Sequence, residues 1–259
     1  MGQVELKNKD EIALMRDAGR IVSEILDALQ RAVAPGITTW DLDGIAEDLI
    51  FRKGAKPAFK GYLGFPCCLC ASVNQEVIHG IPSKKKMLAE GDLIKLDFGV
   101  VYKGFYGDSA RTVPVGRVSG EAERLIEATR ESLHQGIAAV QVGNRIGDIG
   151  YAVQTLVEKR GFSVVRDFVG HGIGKKLHEQ PQVPNFGDPG TGMKLRSGLV
   201  LAIEPMVNAG THQVEVLDDE WTAVTLDGRL SAHFEHTVLV SEDGPEILTR
   251  PTAGSPAST

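Results

Sequence analysis

Long apolar runs are missing from this sequence. The longest, at residues 198–203 and 237–240, fall far short of the ~18 residues that a membrane span requires. The opening segment MGQVELKNKDEI has no hydrophobic core of the kind a signal peptide carries, and Leu6 breaks the myristoylation pattern that Met-Gly would begin. A basic excess is missing too: 28 Lys and Arg stand against 34 Asp and Glu, a net charge of −6, which is the wrong sign for a phosphate-binding surface. Cysteine is scarce, and the three present, Cys67, Cys68 and Cys70, are crowded together. An odd, clustered set makes a poor disulfide framework, and no second pair exists to complete a four-ligand zinc site. The cluster reads instead as part of a buried strand, in a chain expected to reside in the cytoplasm. With 42% apolar and 24% charged residues, the composition is not that of a disordered chain.

Glycine is abundant, 30 of 259 residues, which implies tight turns and close backbone approaches. Asn8 and Glu11 form an Asn-x-x-Glu capping box. Apolar residues then recur at helical spacing at Ile12, Met15, Ile21, Val22, Ile25, Leu26, Leu29 and Val33, until Pro35-Gly36 stops the pattern. Leu42, Ile45, Ala46, Leu49 and Ile50 mark a second helix, closed by Gly54. The layout returns later, with one helix through Ala122, Leu125, Ile126, Leu133, Ile137 and Val140. Another follows through Ile146, Ile149, Val153, Leu156 and Val157, closed by Gly161. Displaced by 107 positions, Gly36 falls on Gly143, Asp41 on Asp148, Leu49 on Leu156, Gly54 on Gly161 and Gly91 on Gly198. The same displacement sets Asp97 on Glu204, within the strand-like segments GDLIKLDFG and GLVLAIEPM. The expectation is an α+β chain whose residues 1–250 form one domain of two halves, about 9–113 and 116–240. The halves pack around a pseudo-twofold axis, with a curved antiparallel sheet inside and helices outside. A cleft between halves is the natural place for a site, and residues 251–259 are expected to be disordered.

Within residues 93–101 the even positions Ile94, Leu96, Phe98 and Val100 are apolar, whereas the odd ones carry Lys95 and Asp97. This alternation predicts a half-buried strand with Asp97 on its other face. A second strand, over residues 105–113, contains Asp108. A hairpin with Tyr102-Lys103 as its two-residue loop sets Asp97 directly opposite Asp108; a Lys-Gly turn would slip that register yet keep the two near each other. Glu204 and Glu235 are the corresponding pair of the second half, Glu235 opening the strand candidate HFEHTVLV. The twofold brings both pairs into one cleft. Four carboxylates together call for divalent cations, and shared carboxylates allow two ions ~3.5–4 Å apart. His171, in Val-Gly-His-Gly-Ile-Gly, is the remaining ligand candidate. One imidazole with four carboxylates favours Mn, Fe or Co over a closed structural zinc site. Taken singly, a strand Asp faces solvent and a loop histidine has no role; the joint pattern is what points to a metal centre. His134 reads as a surface residue of a helix, His212 and His233 have no obvious partner, and His236 points away from the face of Glu235.

These five residues, in this order and at intervals of 11, 63, 33 and 31, resemble the ligand set of the methionine aminopeptidases. VIHGIP around His79 and GHGIG ahead of LHEQPQVPN extend the resemblance, which runs from about Glu11 to Leu248. The short interval between Glu204 and Glu235 fits the type 1 enzymes, and the lack of a zinc-finger extension fits their minimal bacterial form. The resemblance implies the pita-bread (creatinase/aminopeptidase) fold and hydrolytic removal of N-terminal methionine from nascent proteins and peptides. It implies that Asp97 holds one metal ion, that His171 and Glu204 hold another, and that Asp108 and Glu235 bridge both; the ions would be Co, Mn, Fe or Zn. Glu204 would take a proton from the attacking water, a metal ion and His178 would stabilise the carbonyl oxygen, and His79 would contact the scissile amide or shuttle protons. Tyr62, Phe65, Cys70 and Trp221, with His79 and His178, match the family's substrate-binding positions. Leu63 and Leu177 depart from it, standing where a histidine and an aromatic are common. The implied partners are nascent-chain N-termini, with transient ribosome association, no direct nucleic-acid or membrane contact, and a monomeric state. Two readings compete. One is an X-Pro peptidase of the same fold, which usually carries an N-terminal domain that 259 residues cannot hold. The other is a non-catalytic binding protein that reuses the fold.

Overall fold

Two pairs of helices open the two halves, and their sequence sets where they begin. The computed structural model describes residues 4–250, and the tail at 251–259 lies outside the described residues. In α1 (Lys9–Ala32) the Asn8 side chain accepts from the N–H groups of Asp10 and Glu11, while the Glu11 carboxylate accepts from the Asn8 N–H. α2 (Thr39–Arg52) opens on the reciprocal pair Thr38 and Asp41. α3 (Gly120–Ala138) is capped by Ser119, and α4 (Ile146–Lys159) by Asp148, whose carboxylate accepts from the Arg145 N–H. These contacts satisfy N–H groups that a helix start leaves without an internal partner. The duplication reaches single hydrogen bonds. The isolated bridge Thr38–Met87 recurs 107 residues later as Arg145–Lys194. The Gly36 N–H donates to Leu88 O, and the Gly143 N–H donates to Leu195 O. Gly36 and Gly143 both sit at positive φ, 92° and 99°, which glycine adopts without strain.

The first half is built on the hairpin of Leu93–Tyr102 and Phe105–Pro114, with Leu69–Val73 and Lys56–Pro57 on the other edge of Leu93–Tyr102. Its counterpart pairs Val200–Ile203 with His236–Ser241, in a five-stranded sheet that adds Gly170–Gly172, Glu179–Val183 and Gly244–Ile247. Pro205 has no N–H to give a ladder, so this strand ends at Ile203. Pairing resumes between Met206–Asn208 and Ser231–His233. Apolar packing forms one cluster per half, around Leu26, Leu42 and Phe98 in the first and around Leu125, Val153 and Leu201 in the second. A third cluster, including Met15, Phe65, Cys70, Leu177 and Val200, draws on both halves.

Two expectations are corrected by the hairpin. It turns at Lys103-Gly104, both at positive φ (48° and 87°), so Tyr102 pairs with Phe105, Asp97 faces Ala110 and Asp108 faces Gly99. The tight hairpin turn requires positive φ at both central residues, and Gly104 meets that demand far more easily than a tyrosine. Asp97 and Asp108 are therefore diagonal neighbours on one face, a separation of roughly 7–8 Å, and not a directly opposed pair. Nor is Leu93–Tyr102 half-buried. Lys95 is buried as fully as the apolar face and Asp97 nearly so, because the second half covers their side.

The halves meet along Phe105–Pro114. Ala110 and Glu235 exchange backbone hydrogen bonds. Thr112 Oγ1 donates to His233 O and accepts from the His233 N–H, and Thr237 Oγ1 does the same with Asp108. Register explains this reciprocity. Leu96 pairs with Arg111, and its counterpart Ile203 pairs with His236. His236 thus stands where Arg111 stands, Thr237 where Thr112 stands, Glu235 where Ala110 stands and His233 where Asp108 stands. The expected equivalence of Glu235 with Asp108 is offset by two residues, one full pleat of a strand.

Candidate active site

All five expected metal ligands line one cavity of about 180 Å³. The first-half hairpin supplies Asp97 and Asp108, and Gly170–Gly172 supplies His171. Glu204 follows the end of Val200–Ile203, and Glu235 lies in the link between Ser231–His233 and His236–Ser241. HFEHTVLV is accordingly two strands with a break at Phe234-Glu235, where the sequence pattern reads as one. One side-chain ligand atom each from Asp108, His171 and Glu235 lie within 4.8 Å of one another. His171 Nε2 is 3.5 Å from Glu204 Oε1. The His171 Nδ1–H donates to Gly172 O at 2.9 Å, which leaves Nε2 as the free lone pair, the tautomer a metal ligand needs. The flanking glycines have a steric cause. A Cβ on Gly170 would collide with Ala202 O, and one on Gly172 would collide with Gln180 O.

Burial pushes Asp97, Asp108, Glu204 and Glu235 above the ordinary carboxylate range, and neighbouring carboxylates push Asp108, Glu204 and Glu235 further the same way. Asp97 Oδ1, Asp108 Oδ1 and Glu235 Oε1 are buried with no hydrogen-bond partner. Acceptors left in that state are costly, and a divalent cation supplies what they lack. The oxygen-rich donor set with one imidazole fits such an ion, so this is a metal-binding site.

The cavity's other wall is apolar, with Phe59, Tyr62, Phe65, Cys70, Leu177 and Trp221. Tyr62, Phe65, Cys70 and Trp221, expected at a substrate pocket, all line it; Phe59 was not among the expected residues. Leu177 is buried in the wall, whereas Leu63, at positive φ, projects from the rim and is 81% exposed. Phe65 and Trp221 meet edge to face with centroids 5.0 Å apart. His79 also sits at positive φ (58°), a conformation worth notice in a non-glycine residue at a site. Its ring packs edge-on to Phe168 and Trp221, and burial pushes its pKa down to about 4. His178 Nδ1 lies 2.7 Å from the Tyr62 hydroxyl, and its ring is 4.3 Å from that of His171. Cys67, Cys68 and Cys70 are free and buried, and Cys70 pairs with Asp97 across the sheet.

Besides Phe59, a residue beside the site was missed. His233 is 1% exposed, and its Nε2 lies 3.8 Å from Glu204 Oε2. Burial holds its pKa down, at about 3, so the ring is neutral. Its position two residues before Glu235, on the same parity, was the signal available. His134 is exposed, as expected, and His236 lies away from the cavity, its Nδ1 sharing a 2.9 Å hydrogen bond with Thr249 Oγ1.

A fold of two like halves with a buried carboxylate–imidazole cluster at their junction, open to an apolar pocket, defines a metal-dependent hydrolase. Comparison with known proteins narrows the class. The model of metallopeptidase family M24 matches residues 13–242. The methionine aminopeptidase of Clostridium perfringens is 57% identical over 244 residues, covering 94% of this chain and 98% of that protein. The methionine aminopeptidase of Clostridium acetobutylicum is 54% identical with the same coverage. The crystal structure of the Thermotoga maritima methionine aminopeptidase matches with a TM-score of 0.94 at 47% identity, covering 96% of this chain and 100% of that one. A prolidase from Pyrococcus horikoshii shares the fold at 21% identity and a TM-score of 0.78; this chain covers 65% of it. The chain belongs to metallopeptidase family M24, among its methionine aminopeptidases.

Proposed function

We propose that the chain removes N-terminal methionine from peptides and newly made proteins by hydrolysis at a site of two divalent ions. The observation that carries this reading is the continuity of one cavity, lined both by apolar side chains and by five metal-type ligands, four of them buried. A flexible, polarizable thioether suits an irregular apolar pocket of that size. Asp97 would hold one ion, His171 and Glu204 the other, and Asp108 and Glu235 both. Bound there, the ions would supply the Lewis acidity that amide hydrolysis at neutral pH requires. The protein's own groups do the rest. Glu204 accepts the proton of the attacking water. Burial raises the Tyr62 pKa, so its hydroxyl keeps its proton and donates a hydrogen bond to His178 Nδ1. The His178 ring, neutral because burial lowers its pKa, then carries its proton on Nε2 and donates to the carbonyl oxygen as charge develops there. His79, also neutral, hydrogen-bonds the scissile amide. The substrate's α-amine would bind a divalent ion only when neutral, so activity is expected to fall in acid. Three free cysteines support placing this activity in a reducing cytoplasm, where nascent chains emerge and transient contact with the ribosome follows from the substrate.

The test is to strip the protein with chelator, reload it with Mn, Fe, Co or Zn, and assay Met-Ala and Ala-Pro peptides with metal content measured on each sample. Methionine release confined to loaded samples, with full activity near two ions per chain, is expected. Preference for Ala-Pro, or no release with any of the metals, overturns the proposal.

A further inference from the structure

His233 is 1% exposed, and neither of its ring nitrogens has a hydrogen-bond partner among the described residues. A buried imidazole in that condition loses its hydration for nothing, unless another state of the site uses it. Two features of the structure show which group would use it. First, the Glu204 carboxylate lies between two imidazoles. Its Oε1 is 3.5 Å from His171 Nε2, and its Oε2 is 3.8 Å from His233 Nε2. Second, the pseudo-twofold makes His233 the counterpart of Asp108. The backbone of each is gripped, at both N–H and C=O, by a threonine hydroxyl of the opposite half. The fold therefore brings the His233 ring to the mirror position of one of the five ligands. The group left to adjust is the Glu204 side chain, on a residue that follows the last paired residue of its strand, precedes Pro205 and has its backbone carbonyl held by Asn185 Nδ2.

We propose that His233 is a positioning residue of the metal centre: its Nε2–H donates to Glu204 Oε2 when ions are bound, leaving Oε1 as the oxygen that shares an ion with His171. A ligating carboxylate whose second oxygen is held in this way keeps one orientation, and loss of such a partner typically weakens metal affinity about 10–100-fold. The inference rests on the metal-centre reading above.

The experiment titrates the metal-free parent, His233→Gln and His233→Leu with Co(II), followed by calorimetry and by visible absorption, which reports ligand geometry. The Leu variant, with no donor, is expected to bind about 10–100-fold more weakly and with an altered spectrum. The Gln variant, whose amide N–H can still reach the carboxylate, is expected to stay within about threefold of the parent and to keep its spectrum. Leu binding as tightly as the parent with an unchanged spectrum overturns the inference, as does Gln losing as much affinity as Leu. Should the Leu variant fail to fold, proton NMR of the parent decides. Metal addition is expected to move the His233 ring N–H downfield and slow its exchange, and an unmoved signal overturns the proposal. A parent that binds no divalent ion removes the metal-centre reading itself, whereas a parent and a Leu variant that bind alike remove only this inference.

Discussion

The Tyr62 hydroxyl lies 2.7 Å from His178 Nδ1. In the function proposed above it donates there, which leaves the ring proton on Nε2. Tyr62→Phe frees Nδ1, and the neutral ring then divides between tautomers. One neutral hydrogen bond is worth about 1 kcal/mol, so kcat/KM on Met-Ala peptides is expected to fall roughly 5–10-fold with metal content unchanged. An unaltered kcat/KM would show that the hydroxyl does not set the tautomer. At this scale the site was largely legible in the sequence, because metal ligation restricts residue types severely. Aspartate, glutamate and histidine at fixed intervals carry the demand in their own chemistry. His233 was not legible in the same way. An imidazole becomes a partner of Glu204 only through the register of two strands, and register is not written in residue type. Lys95 failed to read for a related reason: a strand alternating apolar with charged residues looks half-exposed until a second half of the molecule covers its charged face.

Helices and turns were legible because their signals are local. The Asn8–Glu11 box starts α1 as the pattern predicts, and Gly36, Gly54, Gly143 and Gly161 all turn at positive φ just past the four helices. The hairpin register was less secure, since two candidate loops overlap and differ by a shift of the whole ladder; positive φ at Lys103 and Gly104 decides it. Two helix glycines carry opposite predictions. Gly44 lies in α2 with nothing within 4 Å of the place a Cβ would take. Gly44→Ala removes backbone freedom from the unfolded chain and is expected to raise stability by about 0.5–1 kcal/mol. Gly19 lies in α1, and a Cβ there would collide with the carbonyl of Leu248, an atom of the backbone that cannot rotate aside. Gly19→Ala is expected to cost about 1–3 kcal/mol as α1 is pushed off the segment after Gly244–Ile247. Urea denaturation of both variants tests the pair. Equal effects would mean that α1 does not pack against Leu248 as the structure shows.

At the scale of the whole molecule, the two halves are held around a cluster of acids that burial keeps from ionising. Each of the four carboxylates has a pKa above its ordinary value, so its share of stability is present at low pH and lost as pH rises through the raised value. The buried histidines work in the opposite sense. His79 near 4, and His171, His233 and His236 near 3, contribute stability that is complete above the ordinary histidine pKa of 6.5 and lost as pH falls below it. Below pH 6.5 the two trends oppose each other; above it the histidines are neutral in both states and the carboxylates remain. Lys95, lowered from 10.5 to about 7, adds stability as pH rises across that interval, but equally with or without metal. The difference between loaded and stripped protein therefore isolates the carboxylates. Metal competes with their protons, so its stabilisation grows with pH. At a free-ion concentration one hundred times Kd it amounts to about 2.7 kcal/mol, or roughly 5–10 °C in Tm for a chain of this length. Melting curves of Mn-loaded and chelator-stripped protein from pH 6.5 to 8.5 are expected to diverge steadily. A gap that stays constant or narrows would mean that the acids at the junction of the halves do not exchange their protons for an ion.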